Sequence, residues 1–206
     1  MKLVLTVLAV PGFLLWTGTP ASANEQLAAA ALQRTEVAVT YDPAYIAIPY
    51  PNGDVPDHTG VCTDLVIRSF RAIGIDLQRL VHEDMSANFG VYPDDWGHDR
   101  PDTNIDHRRV PNLETFFERH GESLSPSRDV NRYKAGDIVT WRLPGGLPHI
   151  GIVSNVVAAG SSRPLIVHNI GRGPKLEDML FEYELHGHYR YEGQQPLSNG
   201  ATQQGD

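Results

Sequence analysis

Gly60-Val61-Cys62-Thr63-Asp64-Leu65-Val66-Ile67-Arg68-Ser69-Phe70-Arg71-Ala72-Ile73-Gly74 contains the only cysteine of the chain. The approach to it, from Tyr50 to Thr59, holds Pro51, Gly53 and Pro56 and cannot be helical through them. A helix is therefore expected to start between Thr59 and Val61. Cys62, Val66, Phe70 and Ile73 fall on one stripe, with Leu65 and Ser69 beside it and Arg68 and Arg71 toward the other side, and Gly74 supplies a stop. The sulfur then sits in the first turn. Unpaired N–H groups and the positive end of the helix dipole favour a thiolate there, lowering a pKa of about 8.5 toward neutrality. Asp64 opposes that shift if its carboxylate lies close, or else serves the helix start. Position makes Cys62 a candidate nucleophile, against the competing reading of an inert buried thiol.

Upstream, Met1-Lys2 is followed by an apolar run from Leu3 to Trp16 and by Ala21-Ser22-Ala23. The run is shorter than the roughly 18 residues of a membrane span, and the A-x-A site suits cleavage after Ala23. Residues 1–23 are expected to be a secretory signal, residues 24–192 a single domain and residues 193–206 a disordered tail. The expected location is an exported one, periplasmic, with no stable membrane span after cleavage; an uncleaved anchor is the competing reading. The formal net charge of -8 argues against a nucleic-acid partner. One cysteine permits no internal disulfide, and an exported chain that keeps a lone thiol has a use for it. No feature sets an oligomeric state.

Asn24 is available to cap a helix carrying Leu27, Ala28, Ala31 and Leu32, and Val37 to Pro51 reads as extended and irregular. Leu77, Leu80, Val81 and Met85 mark a short helix from about Asp76. A long loop from Ala87 to Pro111 follows, then a helix capped by Asn112 and ended by Gly121. Short β-runs come next: 137–141, 149–153, 165–169 and 181–191. The Pro144-Gly145-Gly146 and Ala159 to Ser162 turns fit tight connections, which favours antiparallel pairing. Helices first and strands after predict an α+β domain, N-terminal helices packed on a small antiparallel sheet.

A thiol nucleophile needs a base, and the base needs a polar group that fixes its tautomer. His149 opens one strand; His168 and Asn169 end the next, and strand alternation lets only one of these two face His149. Cys62, His58, His149 and His168 also form a candidate zinc set. Asp106, His107, Arg108 and Arg172 are candidate grips for an anionic ligand, or a salt-linked loop lock.

The order of a helix begun by cysteine, Gly136-Asp137 before a strand, His149-Ile150-Gly151-Ile152-Val153, and a strand ending in His168 resembles the NlpC-type branch of the papain-like cysteine peptidases. More closely, GDVPDHTGVCTDLVIRSFRAIGIDLQ, NIDHRRVPNLETFF, YKAGDIVTWRLPGGLPHIGIVS and LIVHNIGRGPKLEDMLFEY resemble the bacterial domain-of-unknown-function family 1287, the YijF-like family, from about Leu27 to Tyr191. The resemblance implies a papain-like fold, Cys62 as nucleophile, His149 as base, His168 as orienting third member with Asn169 in reserve, and no cofactor or metal. It also implies a thiol hydrolase of amide bonds, with cell-wall (peptidoglycan) peptide as the expected substrate. An inactive periplasmic module binding an anionic ligand is the alternative and a zinc protein the third reading. NlpC-type enzymes have aspartate before the cysteine and Ser-Gly after it, whereas this chain has Val61 before and Thr63-Asp64 after.

Overall fold

The structure, a computed structural model, describes residues 21–193. Apart from residues 21–23 and Gly193, the expected signal and tail lie outside the described residues. Four helices cover one face of a six-stranded antiparallel sheet, the α+β arrangement expected from the sequence. The helices are α1 (Ala23–Arg34), α2 (Cys62–Ala72), α3 (Leu77–Asn88) and α4 (Val110–His120). Strands β1 (Thr40–Tyr41) and β2 (Thr59–Gly60) form a short parallel pair just ahead of α2. The sheet comprises β3 (Glu122–Leu124), β4 (Ile138–Arg142), β5 (Pro148–Val157), β6 (Pro164–His168), β7 (Lys175–Glu177) and β8 (Glu184–Arg190) in the order β3-β8-β4-β5-β6-β7. Among the described residues no helix is long and apolar enough to cross a membrane.

Strand alternation divides the core. Ile138, Ile150, Ile152 and Val167 meet Leu27, Val66, Phe70, Leu113 and Phe117 of the helices. Val139, Trp141, Val153 and Ile166 turn to the other face, where Met179 and Leu180 of the β7–β8 connection cover them. The Leu180 carbonyl accepts from Trp141 Nε1–H at 3.0 Å, so the cover is fixed by a buried hydrogen bond as well as by apolar area.

Two helix starts differ from the expected ones. Ser22, not Asn24, caps α1, its hydroxyl accepting from Glu25 N–H at 3.2 Å while Glu25 accepts from Ser22 N–H at 2.8 Å. Asn24 lies inside the helix and donates to Glu192. At α4 the helix begins before Asn112, because Pro111 is tolerated in a first turn whose N–H groups are unpaired anyway. Asn112 instead donates to the Asp106 carbonyl at 3.0 Å. The loop between α3 and α4 is shortened by 3₁₀ turns at Phe89–Val91 and Asp106–Arg108.

His107, in the second of these turns, is 2% exposed, and burial followed by the neighbouring Arg108 guanidinium depresses its imidazole to about 3. An unfolded histidine takes up its proton near pH 6.5, so between these values the unfolded chain binds more protons and stability falls as pH falls. Each such imidazole contributes a slope approaching about 1.4 kcal/mol per pH unit. The urea midpoint is expected to drop from neutral pH to about pH 5, and His107→Gln to flatten that drop. An unaltered slope in His107→Gln would contradict the assignment.

Candidate active site

The start of α2 is built by a glycine, a carboxylate and a buried arginine. Gly60 has φ 151°, and a Cβ there would meet Asp64 Cβ at 3.0 Å and an Arg68 guanidinium nitrogen at 3.3 Å. Asp64 Oδ2 accepts from Val61 N–H at 2.7 Å, serving the helix start. The same carboxylate takes a two-pronged pair from Arg108, Nε at 2.8 Å and Nη2 at 3.0 Å, with both side chains almost fully buried. Thr63 Oγ1 donates to the Arg108 carbonyl at 2.9 Å. One turn further, Arg68 grips Asp54 and the carbonyls of Val55 and Thr59, which ties the Pro-rich approach to the helix. The helix that presents Cys62 is thus held from both sides.

Cys62 is 5% exposed and free of disulfide. Burial pushes its thiol up to about 11; the Ile150 N–H favours the thiolate and the Asp64 carboxylate disfavours it. The expected drop toward neutrality is therefore reversed: the loss of water outweighs the helix N-terminus. Tyr41, on β1, lies within electrostatic reach of Cys62 and Asp64, which together with burial push its phenol up to about 12.

The N–H facing the sulfur belongs to the peptide bond that joins Ile150 to His149. His149 stands opposite Trp141 in the β4–β5 ladder and is 2% exposed. Its Nε2 is 3.0 Å from His168 Nδ1, the rings meeting edge to face. That pairing follows from register: Gly151 pairs with His168, so His149 is the diagonal neighbour on the same face. Burial, then the His168 charge, lowers the His149 imidazole to about 3. His168 is also lowered by burial, with Glu177 working against the shift. Both rings and the thiol are accordingly neutral at rest. His149 turns Nε2 to His168, which leaves Nδ1 outside that bond; register puts the ring on the Trp141 face of the sheet, and among the described residues no hydrogen bond joins it to Cys62, whose partner on β5 is the Ile150 N–H.

Of the remaining candidates, Asn169 faces away from His149, as strand alternation requires. It donates to the Gly60 carbonyl at 3.3 Å and accepts from Gly171 N–H, bracing the turn that enters α2. Asp106, His107 and Arg108 are buried, and Arg108 is spent on Asp64; they are a lock, which corrects the ligand-grip expectation. Arg172 is exposed and, with Lys175, flanks an open groove of about 370 Å³ against Thr35 to Val39. His58 is exposed, and among the described residues no three His, Cys, Asp or Glu side chains converge as metal ligands, so the zinc set does not assemble. Sequence reasoning missed Glu177, whose Oε2 lies 2.9 Å from His168 Nε2. The two-residue alternation of Lys175-Leu176-Glu177 was its only signal.

A family model described as "Domain of unknown function (DUF1287)" matches residues 28–191. The chain is 54% identical over 171 residues to "Uncharacterized protein YijF" of Escherichia coli (strain K12), covering 82% of this chain and 83% of that protein. Among solved structures it is similar to NlpC1 from Trichomonas vaginalis at a TM-score of 0.46 and 17% identity, over 84% of this chain. The match takes in 45% of that chain, so this protein spans about half its length.

Removing one partner of a buried ion pair strands the other charge and costs about 3–5 kcal/mol. Arg108→Met is expected to lose stability in that range by urea unfolding, and Arg108→Met with Asp64→Asn to recover part of it. A loss below about 1 kcal/mol in the single variant, the value of a surface pair, would contradict the described burial.

Proposed function

The chain belongs to the DUF1287 family, and from that premise we propose that it is an exported thiol hydrolase that cleaves an amide bond in cell-wall peptide. The observation that carries the reading is the contact of the Cys62 thiol with the Ile150 N–H, one residue from an imidazole held at 3.0 Å by His168. The order of cysteine helix, histidine strand and histidine strand adds the NlpC-type resemblance. Export rests on the sequence of residues 1–23.

In this reading His149 Nδ1 takes the Cys62 proton as the sulfur attacks the amide carbonyl. Neutral partners at rest make this a concerted transfer and not an attack by a standing thiolate. The oxyanion that forms is met by backbone N–H groups at the start of α2, Cys62 among them, each such donor being worth about 3–4 kcal/mol in comparable hydrolases. The imidazolium then protonates the leaving amine; water, deprotonated by the same nitrogen, attacks the thioester to release the acyl group as a carboxylic acid, and the imidazolium returns its proton to the departing sulfur. His168 holds the ring in position throughout. None of these steps needs a cofactor.

The alternative reading, a module that binds an anionic ligand without turnover, draws on exposed Arg172 and Lys175 beside their groove. Purified cell-wall fragments incubated with the protein and analysed by mass separate the two. New amines and carboxylates are expected with the wild type, none with Cys62→Ala, and a rate lower by about 10²–10⁴ with His149→Ala. Equal products with Cys62→Ala would contradict the thiol mechanism, and unchanged but retained fragments in both would favour binding.

A further inference from the structure

The pair at His149 and His168 does not end in the core. His168 Nε2 meets Glu177 Oε2 at 2.9 Å, and while the His168 side chain is 2% exposed, that of Glu177 is 52% exposed. Ladder register explains the meeting: Glu177 pairs with Ile166 and Lys175 with His168, so Glu177 is the diagonal neighbour of His168 on its face, just as His149 is from β5. Two consecutive diagonal contacts across three strands make one line of ring nitrogens from the buried strand β5 to the sheet edge at β7.

We infer that Glu177 is a positioning residue that sets the direction of the proton in both imidazoles, and so decides which His149 nitrogen carries the lone pair. The inference deepens the reading above and rests on it for its functional meaning. A carboxylate accepts hydrogen bonds and offers none. His168 must then hold its hydrogen on Nε2, and a neutral ring with hydrogen on Nε2 has a bare Nδ1. Bare Nδ1 accepts, so His149 donates from Nε2, and the His149 lone pair falls on Nδ1, the nitrogen a thiol can use. Reverse the first bond and every later one reverses, leaving His149 with a hydrogen on Nδ1 and no basic nitrogen for Cys62. The two histidines alone are symmetric about their shared bond, and either direction satisfies it. The carboxylate at the sheet edge breaks that symmetry, and it acts through His168 without touching the reacting atoms.

Glu177→Gln tests this, because an amide of nearly the same shape can present either a donor or an acceptor to His168. Long-range ¹H–¹⁵N spectra of the full chain at neutral pH read the hydrogen on each ring nitrogen directly. The wild type is expected to show a single pattern, hydrogen on Nε2 and bare Nδ1 in both His149 and His168. Glu177→Gln is expected to lose that single pattern in both rings together, while Asp178→Asn, a neighbouring carboxylate paired with Arg163, keeps it. Matching backbone amide spectra verify that the variants are folded. Hydrogen on Nδ1 of either ring in the wild type, or an unchanged pattern in Glu177→Gln, overturns the inference. The readout needs no substrate, so a wild type with the expected pattern that loses it in Glu177→Gln supports the inference even if cell-wall fragments are left uncut and the hydrolase reading fails.

Discussion

The buried pair between Asp64 and Arg108 is the constraint on which the site depends. A carboxylate in the first turn of α2 is suited to the helix dipole and to the Val61 N–H it caps, yet the same charge lies close to the thiol and raises its pKa. Arg108 takes both carboxylate oxygens, at 2.8 and 3.0 Å, in a region from which water is removed, and so holds the charge that the helix start uses. Desolvating two such ions costs several kcal/mol each and is recovered only with good geometry and full hydrogen bonding. A pair of this kind specifies one arrangement more than it adds net stability. Here the arrangement it specifies is where the helix begins, and hence where the sulfur sits.

Burial also sets the charge state of the chemistry. A cysteine at a helix start invites the inference of a thiolate, but that argument assumes solvent. With 5% of Cys62 exposed, desolvation dominates both the thiol and the His149 ring and moves their pKa values in opposite directions, to about 11 and about 3. Each shift disfavours the charged form, so burial favours an uncharged thiol and an uncharged imidazole at rest. In the proposed hydrolase, reactivity would come from a base whose lone pair is already aimed, and the line from Glu177 through His168 to His149 is placed to supply that aim.

Much of this organisation was legible in the residues. The helical stripe of Cys62, Val66 and Phe70, the glycine after Ile73 and the alternating runs around His149 and His168 depend on local periodicity, which a sequence displays directly. What stayed hidden depends on burial or on a choice between nearby equivalents. Ser22 and Asn24 are both good caps two residues apart; the local exchange with Glu25 falls on Ser22, and Asn24 reaches Glu192 instead. Arg108 reads as a ligand grip until Asp64, 44 residues away, is found beneath it. Glu177 sits in a strand of three residues, too short for its alternation to stand out. The thiol shift reads in the wrong direction from the sequence, because it turns on exposure, which the residues leave open between a helix-start thiolate and a buried thiol.

The central claim, an uncharged Cys62 and His149 awaiting a concerted proton transfer, is tested most directly by the pH dependence of Cys62 alkylation with iodoacetamide, followed by intact mass. The rate is predicted to stay low through neutrality and to climb continuously above about pH 9, as expected of a thiol with a raised pKa. A plateau of fast alkylation between about pH 5 and pH 8, the signature of a thiolate–imidazolium pair, would contradict it.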